Sequence, residues 1–549
     1  MAGRPVSADQ LGTASGDAGA LYGIEWVPGV FDASAAVWVP WEEVAEAEVV
    51  PEAVVLDCGA DASSLAGGDV PVGVRSVVHR VLGVVQEWLA GERFAGSRLV
   101  VVTRGAVPVG SAGDVVQAPV WGLVRAALAE NPGRFALADV DAGADADVDA
   151  AVAAVVAGES EVAVRGGAVL VPRLTRLPSP ESEGEADTGG TVPALDGTGV
   201  VLITGGTGGL GAVVARYLVA ERGVRDLVLT SRRGPDAPGA TELTAELTAL
   251  GARVEILACD VSDRDTVTHL VGSLVSDRGL LAVVHAAGVG DNGLVGALSP
   301  ERVDGVLAPK ADAAWWLHEA TRGLDLAAFV LFSSAGGLVL TAGQGNYAAA
   351  NVFLDALAAR RRAEGLPATS MAFGFWDVGA GLGQYLSEVD RRRMASQGLP
   401  VLSHDAGLAL FAAGLDRGEA TVVPLRVDTA ALRTRTDDVP ALLRTLAPAI
   451  RRQAASAATA VTPADGLADR LARLTAGERH RTVLRLVRSQ VAAVLGHGSA
   501  EAIGADRAFQ ELGFDSLAAT ELRNQLNHLT GLRLPATLVF DHPNALAVT

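Results

Sequence analysis

The sequence predicts an α/β protein: two subdomains built on doubly wound parallel sheets, followed by a small all-α helix bundle. Three observations carry this reading. Apolar runs of strand length alternate with segments whose apolar residues recur every three or four positions, once over 21–177 and again over 198–448. An acidic stretch rich in Pro, Gly and Ser (178–197) separates the two series, and an Ala/Ser/Thr-rich stretch (449–470) follows them; both read as linkers. From 471 to 549 the strand pattern stops and helical periodicity continues.

Composition excludes several classes. A chain of 549 residues can hold two to four domains and bury large cores. Its net charge of −20 argues against nucleic acid and anionic membranes as partners. No apolar run reaches the ~18–20 residues of a membrane span. No basic stretch leading into an apolar one opens the chain, so no export signal is expected. Cys58 and Cys259 lie far apart and read as reduced core thiols of a cytoplasmic protein. The nine histidines show no ligand spacing, and no metal is expected.

Residues 1–20 are small and polar, a leader. From Leu21, LYGIEWVP alternates as a strand does. AVVLDC (53–58) and RLVVVTRG (98–105) are further strands, with an apolar-faced helix, VRSVVHRVLGVVQEWL (74–89), between them. VWGLVRAALAENPGRF (120–135) is a helix broken at Pro132; FALADVD, DVDAAVAAVVAG and EVAVRGGAVLVPRL complete the alternation, which implies a parallel sheet. This half has neither a Gly-rich phosphate loop nor a Tyr/Lys pair, and reads as a non-catalytic scaffold.

The second half opens on GVVLITGGTGGLGAVVARYL. A buried strand (199–203) runs into a glycine loop and then a helix, where Gly205, Gly209 and Gly211 permit a tight turn, close approach of backbone to a pyrophosphate and close helix–strand packing. The helix amino end favours the anion. The next strand, DLVLTSRRG (226–234), ends on Ser231-Arg232-Arg233, where a site for NAD would present an acid to the ribose. Arginine there favours a 2′-phosphate, hence NADPH. ARVEILACDVSD (252–263) and LAVVHAAG (281–288) supply two more strands. A helical stretch, SPERVDGVLAPKADAAWWLHEAT, carries Lys310 beside Pro309, with Trp315 and Trp316 as packing residues.

In FVLFSSAGGLVLTAGQGNYAAAN (329–351) a strand delivers Ser333-Ser334, a Gly-rich loop follows, and Tyr347 sits at the start of a helix one turn before Asn351. A hydroxyl at a strand's carboxyl end and a tyrosine at a helix start suit proton transfer to a carbonyl. Lys310 is the only lysine among 44 basic residues, so a site that keeps an ammonium needs a compact point charge. ATSMAFGFW (368–376) is the next strand; glycines at 379, 381 and 383 then precede a helix near 391–398, a span that suits a mobile lid. Leu415 to Asp428 gives the last helix end and strand. Beyond 470, LARLTAGERHRTVLRLVRSQVAAVLG is an amphipathic helix, and GFDSL places Ser516 at the head of another, where free N–H groups and the dipole favour a phosphodiester. An ordinary Ser N-cap is the alternative.

Ser334, Tyr347, Asn351 and Lys310, with TGGTGGLG upstream, resemble the ketoreductase of a modular type I polyketide synthase, a branch of the short-chain dehydrogenase/reductases that has Tyr-x-x-x-Asn and takes its Lys from an earlier helix. GFDSL and LRLPATLVFDHP are similar to an acyl carrier protein, truncated here near a fourth helix. The resemblance implies two Rossmann-like subdomains, structural and catalytic, and a carrier helix bundle. It implies reduction of a β-ketoacyl thioester, with Tyr347 as proton donor, Ser334 hydrogen-bonding the same oxygen, Lys310 holding the nicotinamide ribose and favouring proton loss from Tyr347, and Asn351 positioning Lys310 and a water relay. Thr204, Gly205, Thr207, Gly208, Gly209, Leu210, Gly211, Ser231, Arg232, Asp260, Val261, Ala286, Ala287 and Gly288, with Lys310 and Tyr347, would line NADPH. Ser516 would take 4′-phosphopantetheine from a phosphopantetheinyl transferase, and ketosynthase and acyltransferase domains would be partners. The linker at 178–197 leaves no room for an enoyl reductase. Two stereochemical fingerprints, Leu-Asp-Asp after the HAAGV strand and a Trp eight residues before the Tyr, are both broken, at Gly290-Asp291-Asn292 and at Val339. A redox-silent epimerase and a non-catalytic scaffold with a carrier are the rival readings; the intact Ser/Tyr/Asn/Lys set and glycine loop count against both.

Overall fold

A computed structural model describes residues 19–31, 37–47, 49–59, 69–110, 112–144, 146–178, 195, 197–379, 388–435, 439–447, 463–497, 499–535 and 537–549. The leader, most of both linkers and the glycine stretch 380–387 of the expected lid lie outside them.

Fourteen strands form one sheet: β1 (Ala20–Pro28), β2 (Trp38–Pro40), β3 (Ala53–Asp57), β4 (Arg98–Arg104), β5 (Phe135–Val140), β6 (Glu161–Arg165), β7 (Ala168–Arg176), β8 (Val200–Thr204), β9 (Asp226–Ser231), β10 (Arg253–Ala258), β11 (Leu280–His285), β12 (Ala328–Ser334), β13 (Thr369–Phe373) and β14 (Thr421–Leu425). Their spatial order is β10-β9-β8-β11-β12-β13-β14-β1-β7-β6-β5-β4-β3-β2. Every pair from β10 to β14 is parallel, as is every pair from β6 to β2. The α/β architecture read from the alternation is therefore present, with the two parallel blocks fused into one sheet.

The fusion is made by β1, antiparallel to β14 on one side (Leu21 opposite Pro424) and to β7 on the other (Ile24 opposite Leu174). A strand at the start of the first series thus completes the edge of the second and removes two open edges. EVAVRGGAVLVPRL departs from the expected parallel pattern. It is an antiparallel hairpin, β6–β7, because Gly166 and Gly167 both take positive φ, as the tight two-residue hairpin turn requires. The short strand β2 carries no pattern long enough to have been read.

The helix Ala118–Glu130 of the first block packs along Gly345–Ala363 of the second, so Trp121 and Val124 share a core with Ala349, Phe353 and Leu357. The approach is backbone-close: a β-carbon added to Gly122 would lie 2.3 Å from Ala348 O. Trp315 and Trp316 are buried packing residues, with Arg360 and Arg264 over their respective faces. Cys58 and Cys259 are buried thiols without a disulfide.

After 463 the chain is helical, with a core of Val487, Val491, Ile503, Phe509, Leu522 and Leu526. The amphipathic helix expected from Leu471 is Ala476–Val494, and a separate helix, Pro463–Ala472, occupies the end of the stretch read as a linker. Thr475 restarts the helix with a capping box, its hydroxyl accepting from Glu478 N while Glu478 accepts from Thr475 N. Among the described residues no helix is long and apolar enough to cross a membrane, and no cluster of His, Cys, Asp and Glu could hold a metal ion.

Candidate active site

The strand order β10-β9-β8-β11-β12 reverses between β8 and β11, and a crevice opens at such a switch point outside the carboxyl ends of the strands. The glycine loop follows β8 there. Gly205 has φ +69°, and a β-carbon on it would lie 2.8 Å from Ala287 N, so the loop is drawn against Ala286–Ala287, just past β11. On Gly211 a β-carbon would lie 2.4 Å from Gly205 O, which fixes how close the helix Gly209–Glu221 comes to the loop. Thr207 and Leu210 are half-buried in the same turn, and Gly208 is exposed at the helix N-cap. The N–H groups of the helix's first turn have no intrahelical partners. This cradle, with no space for a side chain at Gly205 or Gly211, fits a dinucleotide's pyrophosphate.

At the end of β9, Ser231 Oγ accepts from Gly234 N at 3.1 Å. Arg232 is exposed and forms no ion pair among the described residues. Past β10, Asp260 is exposed, its carboxylate accepting from Ser262 N, and Val261 is buried. The Thr204 side chain is fully buried and committed to His285, so what it can offer a ligand is main chain.

Lys310 reaches the crevice through an irregular helix. Pro300–Leu307 and Ala313–Thr321 are joined by a π-helical turn, Ala308–Asp312, where Pro309 lacks a donor. The ammonium donates to Phe332 O at 2.9 Å, lies 4.9 Å from the Tyr347 ring centroid and touches Gly288, whose added β-carbon would be 3.7 Å away. His285, which sequence reading missed, fixes this turn. Its Nε2 lies 2.9 Å from Lys310 O and its Nδ1 2.7 Å from Thr204 Oγ1. Burial, aided by the Lys310 charge, pulls its imidazole down to about 3. The ring is therefore neutral, donating through Nε2 to Lys310 O and accepting the Thr204 hydroxyl at Nδ1. The only signal in the sequence was a histidine inside an otherwise apolar strand.

Ser334 ends β12, its Oγ accepting from Gly336 N at 3.0 Å. A β-carbon on Gly336 would lie 3.2 Å from that Oγ and 3.6 Å from Tyr347 Cδ1, so the serine hydroxyl and the tyrosine ring flank one glycine. Asn346 Oδ1 accepts from Tyr347 N, and Asn346 Nδ2 donates to Asp291 O, which anchors the helix start. Asn351 Nδ2 donates to Tyr347 O at 2.7 Å, and none of its hydrogen bonds reaches Lys310. Its Oδ1 is buried without a protein partner among the described residues. Asp291, inside the broken stereochemical triplet, is held by a bidentate pair with Arg302. Glu130, also missed, anchors the far rim: its two carboxylate oxygens accept from Gly343 N and Val295 N, both at 2.9 Å.

Ser516 is exposed at the head of Ser516–Thr530, whose N-cap Asp515 accepts from Ala518 N at 2.7 Å.

Residues 199–378 match the KR domain family, residues 15–174 the Rossmann fold domain of the polyketide synthase extender module SpnB, and residues 485–549 the phosphopantetheine attachment site family. A solved A1-type ketoreductase is 32% identical, with a TM-score of 0.65 over 78% of this chain and 98% of that one. The ketoreductase from the first module of phoslactomycin biosynthesis in Streptomyces sp. HK803 is also 32% identical, with a TM-score of 0.62 over 75% of this chain and 95% of that one. The chain belongs to the ketoreductase family of modular type I polyketide synthases. Its reductase portion has the short-chain dehydrogenase/reductase fold, and a phosphopantetheine-binding carrier domain follows it. Polyketide synthase GfsA of Streptomyces halstedii is 47% identical over 98% of this chain, and GfsE of the same organism 46% over 100%. The chain spans only 7% and 14% of those two proteins.

Proposed function

We propose that this ketoreductase–carrier chain reduces a carrier-bound β-ketoacyl thioester to the β-hydroxyacyl thioester with NADPH. The observation that carries the proposal is the convergence of Ser334, Tyr347 and Lys310 beside a side-chain-free glycine cradle at the switch point. Bound along Gly205–Gly211 and Gly288, a reduced nicotinamide dinucleotide supplies the hydride. Tyr347 gives its phenolic proton to the oxygen that becomes the alkoxide, and Ser334 Oγ–H donates to the same oxygen. Lys310 keeps a fixed positive charge beside the tyrosine; Phe332 O takes one of its three donors and leaves two for a ribose. The unpartnered Asn351 Oδ1 suits a water that returns a proton to Tyr347. Ser516, exposed on its helix end, is the attachment point for the phosphopantetheine arm that tethers the substrate. The other domains of the synthase, a ketosynthase and an acyltransferase among them, act before this step.

NADPH oxidation with a free β-ketothioester surrogate tests the reading, since neither an epimerase nor a scaffold consumes the cofactor. Cofactor choice is assigned to Arg232, the exposed arginine at the end of β9. Arg232→Ala is expected to raise the KM for NADPH at least tenfold more than that for NADH, because only NADPH has the 2′-phosphate. Equal losses with both cofactors would remove Arg232 from the assignment.

A further inference from the structure

The carrier is seated on the reductase. Arg523 Nη2 donates to Glu130 O at 2.8 Å and to Asn131 Oδ1 at 3.3 Å, and Asn524 Nδ2 donates to Glu130 O at 3.0 Å. The shared carbonyl ends the helix Ala118–Glu130, where the last carbonyls lack intrahelical partners and the dipole is negative. A guanidinium and an amide donor match that end in charge and in hydrogen bonding. Around them, Gln397 Nε2 donates to Glu521 Oε1 at 3.1 Å, Arg533 Nη1 donates to Ala95 O, and Val389 packs against the carrier's core. At the other edge, Leu517 reaches Gly343, where an added β-carbon would lie 3.6 Å from Leu517 Cδ2.

Resting on the reductase reading above, we infer that the carboxyl end of Ala118–Glu130 together with the Gly343 loop is the docking surface for this chain's carrier, and that docking sets Ser516 at the mouth of the Tyr347 crevice. Leu517 follows Ser516 directly, and Gly343 precedes Tyr347 by four residues, a span of roughly 14 Å even fully extended. The placement also gives the first, non-catalytic block a task, because the docking carbonyl belongs to it. Glu130 links the two events. Its main chain receives the carrier, while its carboxylate holds the Gly343 and Val295 loops. A carrier with an acid at position 523 would face the negative helix end and be refused.

The test uses the full chain with Ser516 loaded with a β-ketoacyl arm by a phosphopantetheinyl transferase, and compares single-turnover reduction of the tethered ketone with reduction of a free surrogate. Arg523→Glu is expected to slow the tethered reaction at least tenfold and to leave the free reaction within twofold. Asn131→Arg should do the same from the reductase side, where the carrier's own folding is not involved. Unchanged tethered rates in both variants overturn the proposal. Amide hydrogen exchange over segments 127–134 and 339–347 reads the contact without chemistry. Faster exchange in Arg523→Glu supports docking, and unchanged exchange overturns it. A wild-type chain that reduces neither substrate ends the reductase reading, while the exchange measurement still decides the docking.

Discussion

Lys310 occupies a niche that suits an ammonium and not a guanidinium. It is 4% exposed and bounded by Gly288, by Phe332 O and by the face of Tyr347, which leaves little room for a planar fork. The one lysine in a chain that otherwise uses arginine is therefore not a surface residue, and its burial supports the role proposed for it. Lys310→Met should lower kcat by at least a hundredfold with little change in melting temperature, and Lys310→Arg should rescue poorly although it keeps the charge. A chemical version needs no variant. Lys310 and the amino terminus are the only amines in the chain, so loss of activity should track whatever acylation of Lys310 an amine reagent achieves, and NADPH should protect. Full activity in chains shown by peptide mapping to be acylated at Lys310 would remove it from the mechanism.

At the scale of elements, what the sequence could show was decided by period and by local chemistry. β8, β11 and β12 are apolar runs flanked by glycine or turn signals, and the glycine loop and the Ser/Tyr spacing sit at their ends, so these were legible. The π-turn at Ala308–Asp312 was not, because a one-residue widening leaves apolar spacing almost unaltered; Pro309 marked the place but not its shape. The role of β1 was hidden for a different reason. Alternation in LYGIEWVP shows a strand but not its partners, and both partners are distant in sequence, at 168–176 and 421–425. Glu130 read as one more acid on a helix, since its partners are main-chain N–H groups that no motif encodes. Thr475-x-x-Glu478 has the spacing of a capping box, but the apolar face on either side of it reads as one continuous helix.

The helix pair Ala118–Glu130 and Gly345–Ala363 gives this scale its own prediction. A methyl at Gly122 would sit 2.3 Å from Ala348 O, against backbone that cannot rotate away. Gly122→Ala must push the helices apart, and Tyr347 is the residue next to Ala348 on the partner helix. Overpacking of this kind costs about 1–3 kcal/mol, against a gain of only ~1 kcal/mol from helix propensity. The melting temperature should fall and kcat should fall with it, while Gly83→Ala, on an open helix face, should do neither. A Gly122→Ala protein with wild-type kcat would show that the pair does not position the tyrosine.

The whole molecule is two blocks fused through one sheet, with the carrier as a third body seated on them, and Glu130 is shared by all three. It belongs to the first block, its carboxylate holds two loops of the second, and its carbonyl receives the carrier. Burial raises this carboxyl from an ordinary 4.5 to about 7, outweighing the two main-chain N–H donors and the charge of Arg523 that pull the other way. The sign of the effect on stability follows. Between pH 4.5 and about 7 the unfolded chain releases this proton and the folded chain keeps it, so the unfolded state binds fewer protons and the stability falls as pH rises through the window. Below 4.5 the contribution is fully present; above about 7 it is gone. The displacement corresponds to on the order of 3 kcal/mol. Glu130→Gln cannot titrate, so its melting temperature should be offset from that of wild type by an amount that changes between pH 5 and 8, with wild type losing ground as the pH rises. Charges elsewhere titrate identically in both proteins and cancel in the comparison. Parallel curves across that range would mean that Glu130 ionises as an ordinary surface acid, and that the junction of the three bodies does not depend on its proton.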